Sequence, residues 1–174
     1  MKLISRKLLL ENIKYCDPDI IMGEDVNIML PCLCDCKRLY ILEDAHFYHY
    51  RLVSDSMAHA YNPKLLANLE HSDKVFGDIL KEKGITNADL QMDQEFVMML
   101  LVVLKNELRC PEKDTVARVR DIFMRDDIRK KVLGTKVDIS GTANKLLYFT
   151  MKHPSGAMVN LSKSIINAYD RKTN

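Results

Sequence analysis

Hydrophobic residues recur at helical spacing through most of the chain after Asn62. Asn62 is a favourable N-cap and Pro63 suits the first helical position, whereas Gly84 is a typical helix stop. Between them, the apolar side of the predicted helix consists of Leu65, Leu69, Phe76, Ile79 and Leu80. The pattern therefore predicts an amphipathic helix from Pro63 to Gly84.

A second helix is predicted around the longest apolar run in the chain. It opens with the capping-box-like sequence Thr86–Asp89, passes through the nine apolar residues from Phe96 to Leu104, and must end before Cys110 because Pro111 follows. The run is apolar on every side of a helix, so we expect its middle to be the most buried part of the fold. Nine residues are far short of the roughly 20 that a membrane-spanning helix needs.

Two shorter helices should follow. The first can start at Pro111 and bury an apolar side made of Val116, Val119, Ile122 and Phe123. Asp126 and Asp127 then open a continuation, because carboxylates are favoured in the first turn of a helix, and Gly134 should end it.

Two further helices are predicted at the C-terminal end. Ser140 can cap the first, and Pro154 separates it from the second. The apolar residues of the first are Leu146, Leu147, Phe149 and Met151. In the second, the residues that recur at helical spacing are Met158, Leu161, Ile165 and Tyr169.

The last helix lies in a positively charged stretch. Against the single acid Asp170, the basic residues are Lys145, Lys152, Lys163, Arg171 and Lys172. A basic amphipathic helix usually packs on its own domain with its charged edge in solvent, and this is the expected arrangement. The alternative is peripheral contact with an anionic membrane surface, at the inner face of the membrane.

Only one stretch has the composition of β-strands. Lys37–Leu42 and His46–Val53 are rich in β-branched and aromatic side chains and are joined by a short connection. Two strands alone are marginal in water, so they must pack on helices or join other strands. The expected fold is mainly α with a small β element, divided into residues 1–60 and a helical region of residues 61–174.

Composition limits the classes of function. The 47% apolar content can form a real core, and 26 basic against 24 acidic residues give no case for a nucleic-acid binder. No signal-peptide pattern follows Met1, so a cytoplasmic location is expected. The five cysteines are an odd number, which favours reduced thiols over a disulfide framework.

Three of the cysteines are closely spaced, as Cys32, Cys34 and Cys36. On a helix, alternate residues point roughly 200° apart, and structural zinc sites prefer Cys-x-x-Cys pairs. Free thiols are therefore the preferred interpretation. The rival is a metal-binding regulator, which would combine cysteines with His46, His49, His59 or His71.

Glu24 and Asp25 are the residues of greatest chemical interest. They follow Gly23 at the predicted opening turn of a helix, where unpaired backbone N–H groups and the helix dipole favour negative charge. Helix capping alone would explain the pair. A catalytic interpretation depends on the residues that follow in order, which are Tyr48, Tyr50, Arg51 and Ser56.

This ordered set resembles the acidic-motif region of family-two glycosyltransferases, inverting enzymes of the GT-A type that act in bacterial polysaccharide assembly. In that family, Glu-Asp at a helix start is followed by a Tyr-x-Tyr-Arg strand and then by a Ser. Lys2-Leu3 and Arg6–Leu9 are similar to the basic and apolar stretch that precedes the motif. The resemblance extends from Met1 to about Gly84.

The resemblance implies a role for each matched residue. Asp25 would be the general base that takes the proton from an acceptor sugar hydroxyl as that oxygen attacks the anomeric carbon of a nucleotide-sugar. Glu24 would orient the acceptor or the helix. Arg51 would face the donor phosphates, and Tyr48 and Ser56 would contribute to substrate binding.

Parts of a complete enzyme of this kind have no counterpart here. The nucleotide-binding α/β half is missing, as is an Asp-x-Asp motif after an apolar strand that would hold Mn or Mg on the donor diphosphate; Asp17-Pro18-Asp19 is predicted to be a turn. The chain is therefore expected to be a C-terminal fragment with no cofactor of its own. It should be inactive alone, since nothing would stabilise the charge of the leaving group. Its open apolar faces and strand edge would favour homo-oligomers.

A non-catalytic helical protein-interaction module is the alternative. It needs only the helices after Asn62 and treats Glu24 and Asp25 as capping residues, but it leaves the ordered set after them unexplained. The sequence has no P-loop, nucleophile elbow or dinucleotide fingerprint, so kinase, hydrolase and dehydrogenase functions have no support.

Overall fold

Helices account for most of the chain in the computed structural model, which describes residues 3–41 and 60–173. A short 3-10 turn, Ile13–Tyr15, follows the first helix. The α-helices of the described residues are α1 (Arg6–Asn12), α2 (Glu24–Asp35), α3 (Leu65–Glu82), α4 (Asp89–Arg109), α5 (Thr115–Phe123), α6 (Asp126–Gly134), α7 (Thr142–Lys152) and α8 (Gly156–Thr173). The predicted mainly α character is thus confirmed.

The described residues form two compact units. Unit 1 contains residues 3–41 and 67–88, and unit 2 contains residues 60–66 and 89–173. None of the helices in the described ranges is long and apolar enough to cross a membrane.

Unit 1 is built from α1, α2 and the greater part of α3. Helix α1 begins after Ser5, whose hydroxyl accepts a hydrogen bond from the N–H of Leu8 at 3.2 Å. Helix α3 ends where the sequence predicts. Gly84 adopts the left-handed conformation, with φ +73°, and the N–H of Ile85 reaches back to the carbonyl of Leu80 at 2.9 Å. This hydrogen bond pairs a carbonyl that would otherwise have no partner at the end of the helix.

Helix α3 begins two residues later than predicted. The side-chain oxygen of Asn62 accepts a hydrogen bond from the N–H of Lys64 at 2.9 Å, so Pro63 and Lys64 form a turn and the helix starts at Leu65. Helix α5 likewise starts at Thr115 and not at Pro111, because the intervening residues form a turn that ends at the N-cap Asp114. Both differences lie at helix entrances, where proline is as favourable in a turn as in the first turn of a helix.

Helix α4 is the centre of unit 2, as its apolar run predicts. Helices α5, α6, α7 and α8 all contact it. Its buried residues are Phe96, Val97, Leu100, Leu101, Val103, Leu104, Asn106, Glu107 and Leu108. The predicted end before Pro111 and the predicted end of α6 at Gly134 are both confirmed.

Helices α7 and α8 form a helical hairpin, joined by residues 153–155. The hydroxyls of Thr150 and Ser162 meet at 2.8 Å in its fully buried interior. Gly141, not Ser140, is the N-cap of α7, whereas the Ser155 hydroxyl caps α8 by accepting from the N–H of Met158 at 3.3 Å.

The buried side of α8 differs from the predicted apolar stripe. Val159, Ser162 and Ile166 are buried, whereas Leu161 and Tyr169 are exposed. The predicted stripe and the buried stripe are offset by one residue, which rotates the helix by about 100°. The small polar Ser162 takes the inward position because its hydroxyl is matched by Thr150.

The predicted strand Lys37–Leu42 is wrong over its described residues. Residues 37–41 form a bend and irregular chain, and the side chains of Leu39, Tyr40 and Ile41 are largely exposed. A strand needs a partner to satisfy its backbone groups, and none of the described residues supplies one. The second predicted strand, His46–Val53, lies outside the described residues.

Candidate functional site

The acidic pair Glu24–Asp25 occupies the first turn of α2, as predicted. Both residues are exposed. Gly23 is the N-cap and adopts a left-handed conformation with φ +87°, which turns the incoming chain into the helix. A carboxylate pair on an ordered helix entrance can accept hydrogen bonds from the hydroxyls of a polar ligand.

The chain before this turn is held by side-chain amides. The N–H of Met22 donates to Oδ1 of Asn68 at 2.9 Å, and Nδ2 of Asn68 donates to the carbonyl of Asp19 at 3.1 Å. From the second turn of α2, Nδ2 of the buried Asn27 donates to the carbonyl of Asp17 at 2.9 Å. The helix entrance is therefore fastened both to α3 and to the loop of residues 17–19.

Asp17 is paired with His71. Its Oδ2 lies 2.9 Å from Nε2 of His71, and its Oδ1 accepts a hydrogen bond from the N–H of Asp19 at 2.8 Å. The Asp19 N–H and then His71 lower the pKa of Asp17. The predicted turn at Asp17-Pro18-Asp19 is confirmed. The pairing with His71 was missed, because 54 residues separate the partners and no motif links them.

An open groove in unit 1 runs past Asp17. Its lining combines polar and apolar side chains and consists of Lys14, Tyr15, Cys16, Asp17, Pro18, Val75, Asp78, Ile79 and Glu82. The hydroxyl of Tyr15 donates to Oε1 of Glu82 at 2.6 Å, and Nζ of Lys14 donates to the same oxygen at 3.3 Å. These two hydrogen bonds lower the pKa of Glu82. The groove therefore offers carboxylate acceptors and cationic donors, a combination suited to hydroxyl-rich ligands.

A second polar cluster fixes α1, α2 and the end of α3. Nζ of Lys83 donates to Oδ2 of Asp35 at 2.6 Å and to Oδ1 of Asn12 at 2.8 Å. Nδ2 of Asn12 donates to the same Asp35 oxygen at 3.0 Å. The hydrogen bond from Lys83, followed by that from Asn12, lowers the pKa of Asp35. The three side chains are hydrogen-bonded to one another, so we assign this cluster a role in stabilising unit 1.

Unit 2 has its own polar cluster at the end of α4. The buried Glu107 accepts a hydrogen bond from Nε of Arg118 at 3.1 Å and one from Nδ2 of Asn106 at 3.3 Å. Burial raises the pKa of Tyr61 to about 12, together with a hydrogen bond to Cys110 and the nearby Glu107. Because Glu107 is already paired with Arg118, this cluster is structural as well.

Three predicted site residues, Tyr48, Arg51 and Ser56, lie outside the described residues. The structure therefore neither brings them to the Glu24–Asp25 turn nor separates them from it. Among the residues it does describe, no three His, Cys, Asp or Glu side chains are grouped as metal ligands would be. Cys32 is buried, and Cys34 and Cys36 are half-buried. Burial raises the pKa of both the Cys32 and the Cys34 thiols.

The chain contains a second acidic pair in the same local setting. Asp126 and Asp127 form the first turn of α6 and are exposed. Asp127 accepts two hydrogen bonds from its neighbour Arg125, at 3.2 and 2.6 Å, which lower its pKa. This pair shows what ordinary helix-start acids look like in this protein and provides a matched control for Glu24 and Asp25.

Comparison with known proteins adds no identification. No protein-family model, curated protein or solved structure matches this chain.

Proposed function

We propose that this chain is part of an inverting glycosyltransferase of bacterial polysaccharide assembly and that Asp25 is its general base. The observation that carries the proposal is the exposed Glu24–Asp25 pair on the α2 entrance, which is fastened by Asn27 and Asn68. A catalytic carboxylate must be accessible to substrate and fixed in place, and this turn meets both needs. The ordered set that includes Tyr48, Arg51 and Ser56 agrees with the same family.

Asp25 would act at the acceptor. As the acceptor hydroxyl oxygen bonds to the anomeric carbon, its proton passes to the Asp25 carboxylate, and the bond from that carbon to the nucleotide diphosphate breaks on the opposite face. An ordinary carboxylate is a sufficient base here, because the hydroxyl becomes acidic only as its oxygen bonds to carbon. Glu24 would orient the acceptor beside it.

The residues described in the structure, 3–41 and 60–173, do not fit the Mn or Mg ion that such enzymes use on the donor diphosphate. The Asp-x-Asp sequence at Asp17–Asp19 forms a turn, and its first carboxylate is already engaged by His71. Charge stabilisation of the leaving diphosphate is usually a large catalytic contribution. We therefore expect no sugar transfer by the 174-residue chain alone and place the donor site in a separate nucleotide-binding segment.

Acceptor binding tests the proposal on the chain itself. The probe is a panel of oligosaccharides of bacterial surface polysaccharides, screened on an array and followed by titration calorimetry of the best ligand. We expect binding that Asp25→Asn weakens about tenfold, since a hydrogen bond to a charged group is lost. Asp126→Asn, the matched exchange at the α6 entrance, should leave the affinity unchanged.

Two results would overturn this assignment. One is the absence of saccharide binding at millimolar concentrations, which would favour the non-catalytic interaction module. The other is binding that Asp25→Asn and Asp126→Asn change equally, which would leave Asp25 with a capping role alone.

A further inference from the structure

The α7–α8 hairpin exposes apolar side chains on the side turned away from α4. On α7, Leu146 and Phe149 lie one turn apart, and on α8 the corresponding stripe is Met158, Leu161, Ile165 and Tyr169. Phe149 and Leu161 are each 48% exposed and Tyr169 is 57% exposed. We call these six residues the outer hairpin face.

The contact between the helices places both stripes on the same side of the hairpin. Phe149 directly precedes Thr150 and Leu161 directly precedes Ser162, the two residues whose hydroxyls meet. One residue corresponds to about 100° of rotation, so each stripe is turned from the contact by the same angle. Residues on the opposite, inward side of the two helices, including Leu147 on α7 and Ile166 on α8, are buried.

Positive charge surrounds the outer hairpin face. Lys145 and Arg171 are exposed, and Nζ of Lys152 lies over the ring of Tyr148, 4.4 Å from its centre. The single acid of the hairpin, Asp170, accepts two hydrogen bonds of 2.9 Å from the guanidinium of Arg109. The charge of Asp170 is therefore balanced by a cation of α4, Arg109.

We propose that the outer hairpin face docks on an anionic lipid bilayer, with its apolar side chains in the headgroup boundary and Lys145, Lys152 and Arg171 among the lipid phosphates. The apolar side chains match the boundary of the acyl chains, and the cations that border them match the negative charge of the lipid headgroups. A second copy of the chain fits less well, because two outer hairpin faces would bring like charges together. The binding is peripheral, since neither helix can span a bilayer.

Vesicle co-sedimentation of the intact chain tests the proposal. One set of vesicles is pure phosphatidylcholine, and the other contains about a third phosphatidylglycerol. We expect binding to the anionic vesicles alone. It should weaken strongly when salt is raised from about 0.1 M to 1 M, because the Debye length falls from about 10 Å to 3 Å.

Matched variants locate the contact. Leu161→Gln should weaken anionic-vesicle binding about fivefold, because about half of a leucine side chain is available for insertion. Leu133→Gln is its control, since Leu133 is 50% exposed on α6 and lies off the outer hairpin face. Lys145→Gln should also reduce binding about fivefold. Its control, Lys130→Gln, removes an exposed lysine from α6.

Three outcomes would overturn the proposal. The first is no binding to anionic vesicles at millimolar lipid. The second is equal loss in Leu161→Gln and Leu133→Gln. The third is a lipid-free dimer, detected by light scattering, that Leu161→Gln dissociates, which would make a second copy the occupant. Circular dichroism of each variant verifies that the helices are retained.

Discussion

Asn106 and Asn62 exchange two hydrogen bonds between a side chain and a backbone. Oδ1 of Asn106 accepts from the N–H of Asn62 at 2.8 Å, and its Nδ2 donates to the Asn62 carbonyl at 2.9 Å. Asn106 is buried and lies just after the apolar run of α4. Its side-chain amide therefore pairs with both the N–H and the carbonyl of Asn62, as the backbone of a neighbouring strand does in a sheet.

Replacing Asn106 should lower the stability of the protein by more than the loss of one small polar side chain usually does. Asn106→Leu would leave the N–H of Asn62 unpaired and remove one of the two hydrogen bonds to its carbonyl, which also accepts from the N–H of Leu65 at 3.2 Å. We therefore expect the free energy of unfolding to fall by about 1–3 kcal/mol in urea titrations. In the control Asn144→Ala, an exposed hydrogen bond to the Ser140 carbonyl is lost, and the change should stay within about 0.5 kcal/mol. Equal losses in the two variants would contradict this role of Asn106.

Two glycines should respond in opposite directions to alanine. At Gly23, the added Cβ would meet only Phe76 at ordinary contact distance, but φ +87° is strained for alanine, so Gly23→Ala should destabilise unit 1 by about 1–2 kcal/mol. Gly77 lies inside α3 with open space around it, and Gly77→Ala should stabilise by about 0.5–1 kcal/mol. Thermal unfolding of both variants provides the test, and a Gly23→Ala protein as stable as wild type would count against the left-handed α2 entrance.

Acid should weaken unit 1 through Asp35. Its pKa is lowered by Lys83 and Asn12 in the folded state, so its stabilising contribution is complete above the unfolded-state pKa of about 3.9 and is lost as the pH falls through the lower folded value. Urea titrations between pH 5 and pH 2 should show this loss in wild type. Both Asp35→Asn and Lys83→Met should make the pH dependence shallower, and a wild-type slope in either variant would exclude the pairing as its source.

Local chemistry made several helix limits predictable. Gly84 ends α3, Pro111 follows the end of α4 and the acidic pair Asp126–Asp127 opens α6, because each feature acts on the backbone beside it. The entrances of α3 and α5 were less predictable. The turns before them use residues that are equally suitable for a first helical turn.

Features set by tertiary packing could not be derived from spacing alone. On α8, the buried stripe is turned by about 100° from the predicted apolar stripe and contains the polar Ser162, which is paired with Thr150. The pairing of Asp17 with His71 likewise joins α3 to a distant loop. Of the proposed site, the sequence predicted the position of Glu24 and Asp25, because helix-start acids are a local signal.

The buried contact between Thr150 and Ser162 has a fixed direction. The hydroxyl proton of Thr150 is already used on the carbonyl of Leu146, at 3.1 Å, so Ser162 must supply the proton between the two oxygens. The hydroxyls thus form a one-way relay from α8 to the backbone of α7. Ser162→Ala would leave the Thr150 hydroxyl paired with the Leu146 carbonyl, whereas Thr150→Ala would remove the partner of the buried Ser162 hydroxyl on α7.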